Sequence, residues 1–157
     1  APGTMLLELL YTVNCVAPSA LQLERFLPLN PMRLLVDARG KDLSELVPHE
    51  RLNQLVEKVK KPTGLAIIKQ VHSEVEAKMS MASEQAEEKL QVILIDAERT
   101  MRRDLGAELD RLTSLRAVNP SIRQEELNHL TYRIEECATH IKHANLQLQA
   151  LRLIITT

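Results

Sequence analysis

The C-terminal part of the sequence holds residues that could bind a metal ion. His140 and His143 lie three residues apart and Glu136 precedes His140 by four, so a helix would place the three side chains on neighbouring faces. The His-Glu-x-x-His pattern of zinc proteases is absent from the sequence. Because two histidines at this spacing are a weak signal, solvated or partly packed histidines are the preferred interpretation, and no metal site is predicted.

The same region places a thiol near an imidazole. Cys137 lies three residues before His140, and a nearby imidazolium would favour the reactive thiolate form of the cysteine. However, Cys137 also falls in a heptad pattern of apolar residues, which favours a small buried core residue. Cys15 is far away in the sequence, so both cysteines are interpreted as reduced thiols. No catalytic residue is predicted.

Nucleotide hydrolysis needs a glycine-rich loop around the phosphates. The four glycines are scattered along the chain, at Gly3, Gly40, Gly64 and Gly106. A row of carboxylates follows one segment, and a run of this kind is usually a solvated surface. Its members are Glu74, Glu76, Glu84, Glu87 and Glu88.

Two small basic clusters are weak candidates for nucleic-acid contact. One contains Lys58, Lys60 and Lys61, with Lys69 nearby, and the other contains Arg99, Arg102 and Arg103. Such clusters could touch phosphates, but no aromatic residues accompany them to stack on bases. Solubilising charges on a helix surface are the preferred interpretation.

The composition predicts one domain over residues 1–157 with an aliphatic core, since only 2% of the residues are aromatic. A net charge of −1 provides no overall field for nucleic acid or lipid. No apolar run is long enough for a membrane span, and neither a signal peptide nor a disulfide scaffold is recognisable, so a soluble cytoplasmic protein without membrane contact is expected. The chain is interpreted as a fragment of a larger protein, because it begins with Ala1 and its first strand pattern starts at Met5, although removal of an initiating Met would look the same.

Residues 1–41 are predicted to form mainly strands. A strand of six to ten residues is expected within residues 5–16, since apolar residues are dense there and residues 9–13 include β-branched and aromatic side chains. Residues 21–26 alternate between apolar and polar, and residues 32–37 form the next strand. Together these segments predict an antiparallel meander.

Residues 42–147 are predicted to be mainly helical. A short helix covers residues 51–59 and ends at Lys60, Lys61 and Pro62. A much longer helix then follows, because no proline occurs between Pro62 and Pro120, although Gly106 could bend it. Its apolar stripe has steps of mostly three or four residues and includes Leu65, Ile68, Val75, Met79, Ala82, Ala86, Leu90, Ile93, Ala97, Met101, Leu105, Leu112 and Leu115.

A turn at residues 119–121 reverses the chain, and Ser121 with Gln124 has the form of a capping box. The following helix has a heptad seam that predicts pairing with the long helix in an antiparallel hairpin. The seam consists of Leu127, Leu130, Ile134, Cys137, Ile141, Ala144, Leu148 and Leu151. Residues 148–157 are predicted to return as a strand to the N-terminal sheet. The expected fold class is α+β, a long antiparallel helical hairpin packed with a small antiparallel sheet of N-terminal strands and one C-terminal strand.

Four segments resemble the C-terminal region of the RapA family, bacterial RNA polymerase-associated proteins of the SWI/SNF ATPase type. They are residues 21–28 (LQLERFLP), 31–37 (PMRLLVD), 115–123 (LRAVNPSIR) and 150–157 (ALRLIITT). The resemblance follows the same order along nearly the whole chain. It implies that the parent protein is a helicase-like, ATP-dependent translocase that promotes RNA polymerase recycling, with ATP and magnesium bound only by upstream ATPase lobes.

The resemblance transfers no functional residue to a position in this chain. It implies a non-catalytic accessory domain that docks on RNA polymerase or braces the ATPase lobes of its own protein. Two alternatives remain open at this point, a helical module that contacts nucleic acid through the basic clusters and a helical dimerisation module.

Overall fold

The computed structural model describes residues 2–157 and has the predicted α+β fold class. Its elements are strand β1 (Met5–Asn14), two 3-10 turns (Ser19–Leu21 and Leu23–Arg25), strand β2 (Met32–Val36), helix α1 (His49–Leu55), helix α2 (Lys61–Val118), helix α3 (Gln124–Lys142) and strand β3 (Asn145–Ile155). The three strands form one antiparallel sheet in the order β2-β1-β3. No helix among residues 2–157 has the length and apolar character of a membrane span.

The chain divides into two compact units. The sheet unit contains the chain up to Thr12, Pro31–Glu88 and Gln147–Thr157, and the hairpin unit contains Val13–Asn30 and Lys89–Leu146. Both units include part of α2. The predicted single domain over residues 1–157 stays a prediction.

The sheet unit is built on the antiparallel pair of β1 and β2. Glu8 lies opposite Leu35, while Leu7 and Leu9 lie opposite Val36 and Leu34. Since side chains alternate between the faces of a strand, Glu8 and Leu35 share one face of the pair. The two residues on either side of each of them point to the other face. All six of these residues are buried, so both faces of this strand pair are covered.

Helix α1 ends earlier than predicted. It stops at Leu55, because Val56 adopts an extended backbone with φ −100° and ψ 140°. Residues 56–60 form no helix, and α2 begins at Lys61. Pro62 therefore lies in the first turn of α2, a position where its missing N–H costs no hydrogen bond, instead of ending α1.

The turn after β2 carries the contacts between α2 and the rest of the sheet unit. Gly40 has φ +82°, a conformation that favours glycine. Its carbonyl accepts a hydrogen bond of 2.5 Å from Gln85 Nε2. Nζ of Lys78 lies 3.4 Å from the carbonyl of Ala38. The turn is stabilised internally by Asp37, whose Oδ1 accepts the backbone N–H groups of residues 39 and 41.

The predicted antiparallel helical hairpin is confirmed in the hairpin unit. Helix α2 continues through Gly106 without interruption. Its buried residues at steps of three or four are Leu90, Leu94, Ala97, Met101 and Leu105, and α3 contributes Leu130, Ile134, Cys137, Ala138 and Ile141 to the same core. The aliphatic character of this core agrees with the composition.

The alternation of residues 21–26 does not form the predicted strand. Two 3-10 turns replace it, and Gln22 between them has φ +53°. Leu21 and Leu23 are buried in the core of the helical hairpin. The carbonyl of Leu21 accepts a hydrogen bond from Arg133 Nη2 at 3.3 Å. Alternation predicts that both leucines are buried on one side of a strand, but their packing against the helices selects the 3-10 turns instead.

The link between α2 and α3 also differs from the prediction. The N-cap is Arg123 instead of Ser121, and its backbone N–H donates to Glu126 Oε1 at 3.4 Å. Ser121 belongs to the preceding turn, where its N–H and hydroxyl both donate to Asn119 Oδ1. Helix α3 therefore starts two residues later than the sequence signal suggested.

The C-terminal strand is confirmed and starts earlier than predicted, at Asn145. It adjoins β1 at one edge of the sheet. The backbone N–H of Thr156 donates to the carbonyl of Thr4 at 2.9 Å. The heptad positions Leu148 and Leu151 therefore belong to this strand and not to α3.

Candidate interaction surface

A buried carboxylate organises the outer part of the sheet unit. Glu8 is 4% exposed, and its Oε1 accepts hydrogen bonds from Arg33 Nε at 2.6 Å and His49 Nδ1 at 3.0 Å. Its Oε2 accepts from Arg152 Nε at 2.7 Å, and Nη2 of the same guanidinium lies 2.5 Å away. One side chain thus joins β1, β2, α1 and β3.

The guanidinium groups extend this cluster into the neighbouring loop and helix. Arg33 Nη1 donates to the carbonyls of Ser44 and Val47, at 3.1 and 2.7 Å. Arg152 Nη1 donates to Asn53 Oδ1 at 2.7 Å. The cluster therefore holds α1 and the loop before it against the sheet. These residues were missed at the level of sequence, and the available signal was a single charged residue in an apolar strand.

The two cysteines are structural. Cys137 is fully buried, and its Sγ lies 3.7 Å from the carbonyl of Leu21. Burial raises the pKa of its thiol, with opposition from the nearby Arg133. Burial also raises the pKa of Cys15, whose Sγ donates to the carbonyl of His140. The thiol form is therefore favoured in both, which agrees with the interpretation of Cys137 as a core residue.

The histidines and the carboxylate near the end of α3 do not converge. Nε2 of His140 lies 3.9 Å from a carboxylate oxygen of Glu136, while a ring nitrogen of His143 bonds the carbonyl of Thr139 at 2.7 Å. No group of three metal-binding side chains occurs within residues 2–157. The row of glutamates from Glu74 to Glu88 is exposed to solvent, as predicted.

The arginine cluster lies in the hairpin unit, and acidic side chains accompany each of its members. Arg99 pairs with Asp96 at 3.0 Å, and Arg103 pairs with Asp104 at 2.9 Å. Arg102 contacts Glu98 at 3.1 Å and Glu135 of α3 at 3.3 Å. The hydrogen bonds that Arg102 donates to these two carboxylates raise the pKa of its guanidinium. Much of the positive charge of this cluster is therefore offset locally.

The lysine cluster has a different environment. Lys58 and Lys60 lie in the non-helical segment before α2, Lys61 is the first residue of α2, and all three are exposed. In the part of the chain that the structure describes, no ion pair joins them to an acidic side chain. Leu65 and Ile68 follow on α2 and are 51% and 44% exposed. We call residues 58–72 the basic seam.

The six predicted contact residues thus lie in two different environments. It places Lys58, Lys60 and Lys61 together beside exposed apolar residues, all in the sheet unit. It places Arg99, Arg102 and Arg103 in the hairpin unit among carboxylates. The basic seam is therefore the stronger candidate for contact with a partner.

Comparison with known proteins identifies relatives along the whole chain. The family described as RNA polymerase recycling family C-terminal matches residues 1–156. The chain is 37% identical over 155 residues to the RNA polymerase-associated protein RapA of Vibrio campbellii, covering 99% of this chain and 16% of that protein. The corresponding protein of Vibrio cholerae is 39% identical over 98% of the chain, again with 16% of the relative covered. For that of Pectobacterium atrosepticum the identity is 37%, over 99% of the chain and 16% of the relative.

The matches therefore cover almost all of this chain but a small share of each relative. The family model and these relatives support the resemblance seen in residues 21–28, 31–37, 115–123 and 150–157. The chain belongs to the family of RapA C-terminal regions.

Proposed function

We propose that this chain is a non-catalytic accessory domain of a bacterial, cytoplasmic RNA polymerase-associated protein, and that it docks on RNA polymerase. The observation that carries the proposal is the match to proteins named RNA polymerase-associated protein RapA over 98–99% of the chain. The placement of the reactive side chains supports it, since both cysteines pack in or against the core of the hairpin unit and the carboxylate of Glu8 forms structural ion pairs. Bracing of the ATPase lobes of the same protein is the alternative within this function.

In this proposal, ATP hydrolysis belongs to the parent protein. ATP and magnesium would bind upstream ATPase lobes, and the chain would supply contact surface without a cofactor of its own. The chain spans 16% of the length of its relatives, so the parent protein has ample sequence for such lobes. The accessory domain would then affect recycling of the polymerase by docking on it and not by catalysing a reaction.

The first experiment measures binding and hydrolysis with the chain itself. The purified chain is immobilised and exposed to bacterial core RNA polymerase, and separately to the rest of a RapA protein. We expect retention of polymerase and no ATP hydrolysis by the chain alone. Retention of the RapA remainder without polymerase would favour bracing, and failure to retain either would contradict the proposed function.

Contact with nucleic acid is the second candidate, because the lysines of the basic seam are exposed and form no ion pair with an acidic side chain within residues 2–157. Phosphates would neutralise them and release counterions, which makes such binding strongly salt-dependent. Dimerisation through the heptad seam has less support, since most α3 seam positions are already buried within one chain. Sedimentation of the chain at high concentration tests it.

A further inference from the structure

An apolar stripe of α2 extends beyond the part of the sheet unit that covers it. Ala82 and Ala86 are fully buried, and Met79 is half-buried. Continuing towards the start of the helix at steps of three or four residues, the same stripe reaches Ile68 and Leu65, which are 44% and 51% exposed. Burial is thus lower at Ile68 and Leu65 than at Ala82 and Ala86, while the adjacent Ile67 and Val71 are half-buried. In the first turns of α2, Leu65 and Ile68 therefore present apolar surface to solvent beside a half-buried row.

The charge around these exposed residues has one sign. Residues 58–73 contain four lysines and no carboxylate. On the helix, Lys61 and Lys69 lie four residues before and after Leu65, which places both cations next to it on the same face. Val59, just before the helix, adds another exposed apolar side chain. The basic seam is therefore an apolar strip bordered by positive charge.

We propose that the basic seam docks on a segment of RNA polymerase that presents apolar side chains bordered by carboxylates. This inference rests on the proposed function and specifies the surface and its partner chemistry. Burial of Leu65 and Ile68 would contribute hydrophobic free energy, and carboxylates facing the lysines would fix the register and raise the association rate.

The mixed character of the seam distinguishes this partner from others. Phosphates of a nucleic acid would pair with the lysines. Leu65 and Ile68 would stay in water, so their burial would contribute no hydrophobic free energy to binding. A second copy of the chain that docked seam to seam would bring lysines against lysines, and like charges across an interface oppose association. A protein surface with apolar and acidic groups satisfies both features of the seam.

The test compares two matched double variants on the same helix. Leu65→Asp with Ile68→Asp alters the seam, and Val92→Asp with Ile95→Asp alters residues of the same spacing that are 60% and 57% exposed elsewhere on α2. Affinity for core RNA polymerase is measured by biolayer interferometry, and circular dichroism checks that both variants keep the helix. We expect the seam variant to lose about tenfold or more in affinity, as for a central apolar contact. The control variant should stay within about twofold.

A charge-reversal pair tests the second feature. Lys61→Glu with Lys69→Glu is expected to weaken polymerase binding most at low salt, because screening reduces ionic attraction. Lys41→Glu with Lys142→Glu makes the same change in net charge at two other exposed lysines and should have little effect. Equal losses in the two charge variants would show a general field effect and overturn the proposal.

The outcomes separate this inference from the proposed function. If the unmodified chain does not bind polymerase, the proposed docking function fails. If the chain binds and the Leu65/Ile68 variant binds equally well, docking stands and the assignment to the basic seam is wrong. The assignment is also overturned if the seam variants impair binding only to a short RNA duplex, to phosphatidylglycerol vesicles, to a second copy of the chain or to the rest of a RapA protein.

Discussion

At the level of single residues, Glu8 has the most demanding environment in the described chain. Burying a carboxylate costs several kcal/mol unless cations and hydrogen-bond donors compensate for the lost water. Here two guanidinium groups and one imidazole contact its two oxygens. The four side chains come from β1, β2, α1 and β3, so the cluster is tied to correct assembly of the sheet unit.

Replacement of Glu8 by Gln is expected to destabilise the chain strongly. The variant would leave the Arg33 and Arg152 guanidiniums without their countercharge, and removal of one partner from a buried ion pair costs roughly 3 to 5 kcal/mol. Urea denaturation followed by circular dichroism measures the free energy of unfolding. Glu57→Gln, an exposed carboxylate of the same unit, is the control and should change it by less than about 0.5 kcal/mol. Equal effects of the two substitutions would contradict a structural role for the cluster.

The Glu8 cluster also predicts a loss of stability in acid. Burial raises the pKa of Glu8, but hydrogen bonds from His49 and Arg33 and the charges of Arg152 and Arg33 outweigh it, so the pKa in the folded chain is below its ordinary value. The ionised form is therefore favoured more in the folded chain than in the unfolded one. The stabilisation is fully present above the unfolded pKa, about 4.3, and is lost as the pH falls through the lower folded pKa.

Comparison of the unmodified chain with Glu8→Gln isolates this contribution. The difference in the free energy of unfolding should be largest near neutral pH and should shrink as the pH falls below about 4.3. Denaturation curves at several pH values between these limits provide the measurement. A difference that grows in acid would show that another group accounts for the stability of the sheet unit.

At the level of elements, the α2–α3 hairpin depends on aliphatic packing. Ile141 is fully buried in the core of the hairpin unit, to which Leu21 and Leu23 also belong. Since the chain has few aromatic residues, many medium-sized side chains share the burial. Each therefore leaves a cavity when it is shortened.

Ile141→Ala is expected to lower the free energy of unfolding by about 2 to 5 kcal/mol, through lost transfer free energy and the cavity that remains. Ile95→Ala removes the same atoms from a position that is 57% exposed on α2. It should change stability by less than about 0.5 kcal/mol, because the site is open and Ala is a better helix former. Thermal and urea unfolding measure both, and a mild effect at Ile141 would mean that the hairpin core repacks.

At the level of the whole molecule, charge distribution matters more than net charge. The net charge is −1, yet the exposed lysines of the basic seam belong to the sheet unit and the paired arginines belong to the hairpin unit. Among the residues that the structure describes, each arginine of the cluster has a carboxylate close by, whereas no ion pair joins these lysines to one. A negatively charged partner should therefore bind the lysines more readily than the arginines.

This difference predicts the outcome of charge reversal for any binding to nucleic acid. Lys58→Glu, Lys60→Glu and Lys61→Glu together should weaken binding to a labelled RNA duplex more than Arg99→Glu, Arg102→Glu and Arg103→Glu together. The paired arginines have less charge available for phosphates. Fluorescence anisotropy at several salt concentrations measures both, and a larger effect of the arginine variant would contradict the ranking of the two clusters.

The sequence by itself determined the order and nature of most elements. Periodic apolar residues, the absence of proline between Pro62 and Pro120, and β-branched residues near the C-terminus predicted α2, the hairpin and β3, because these signals depend on residues close together in the chain. The tertiary structure alone decided the conformation of residues 21–26, the ion partners of Glu8 and the exposure of Leu65 and Ile68. Each of these depends on residues distant in sequence, and local periodicity carries no information about which surfaces they cover.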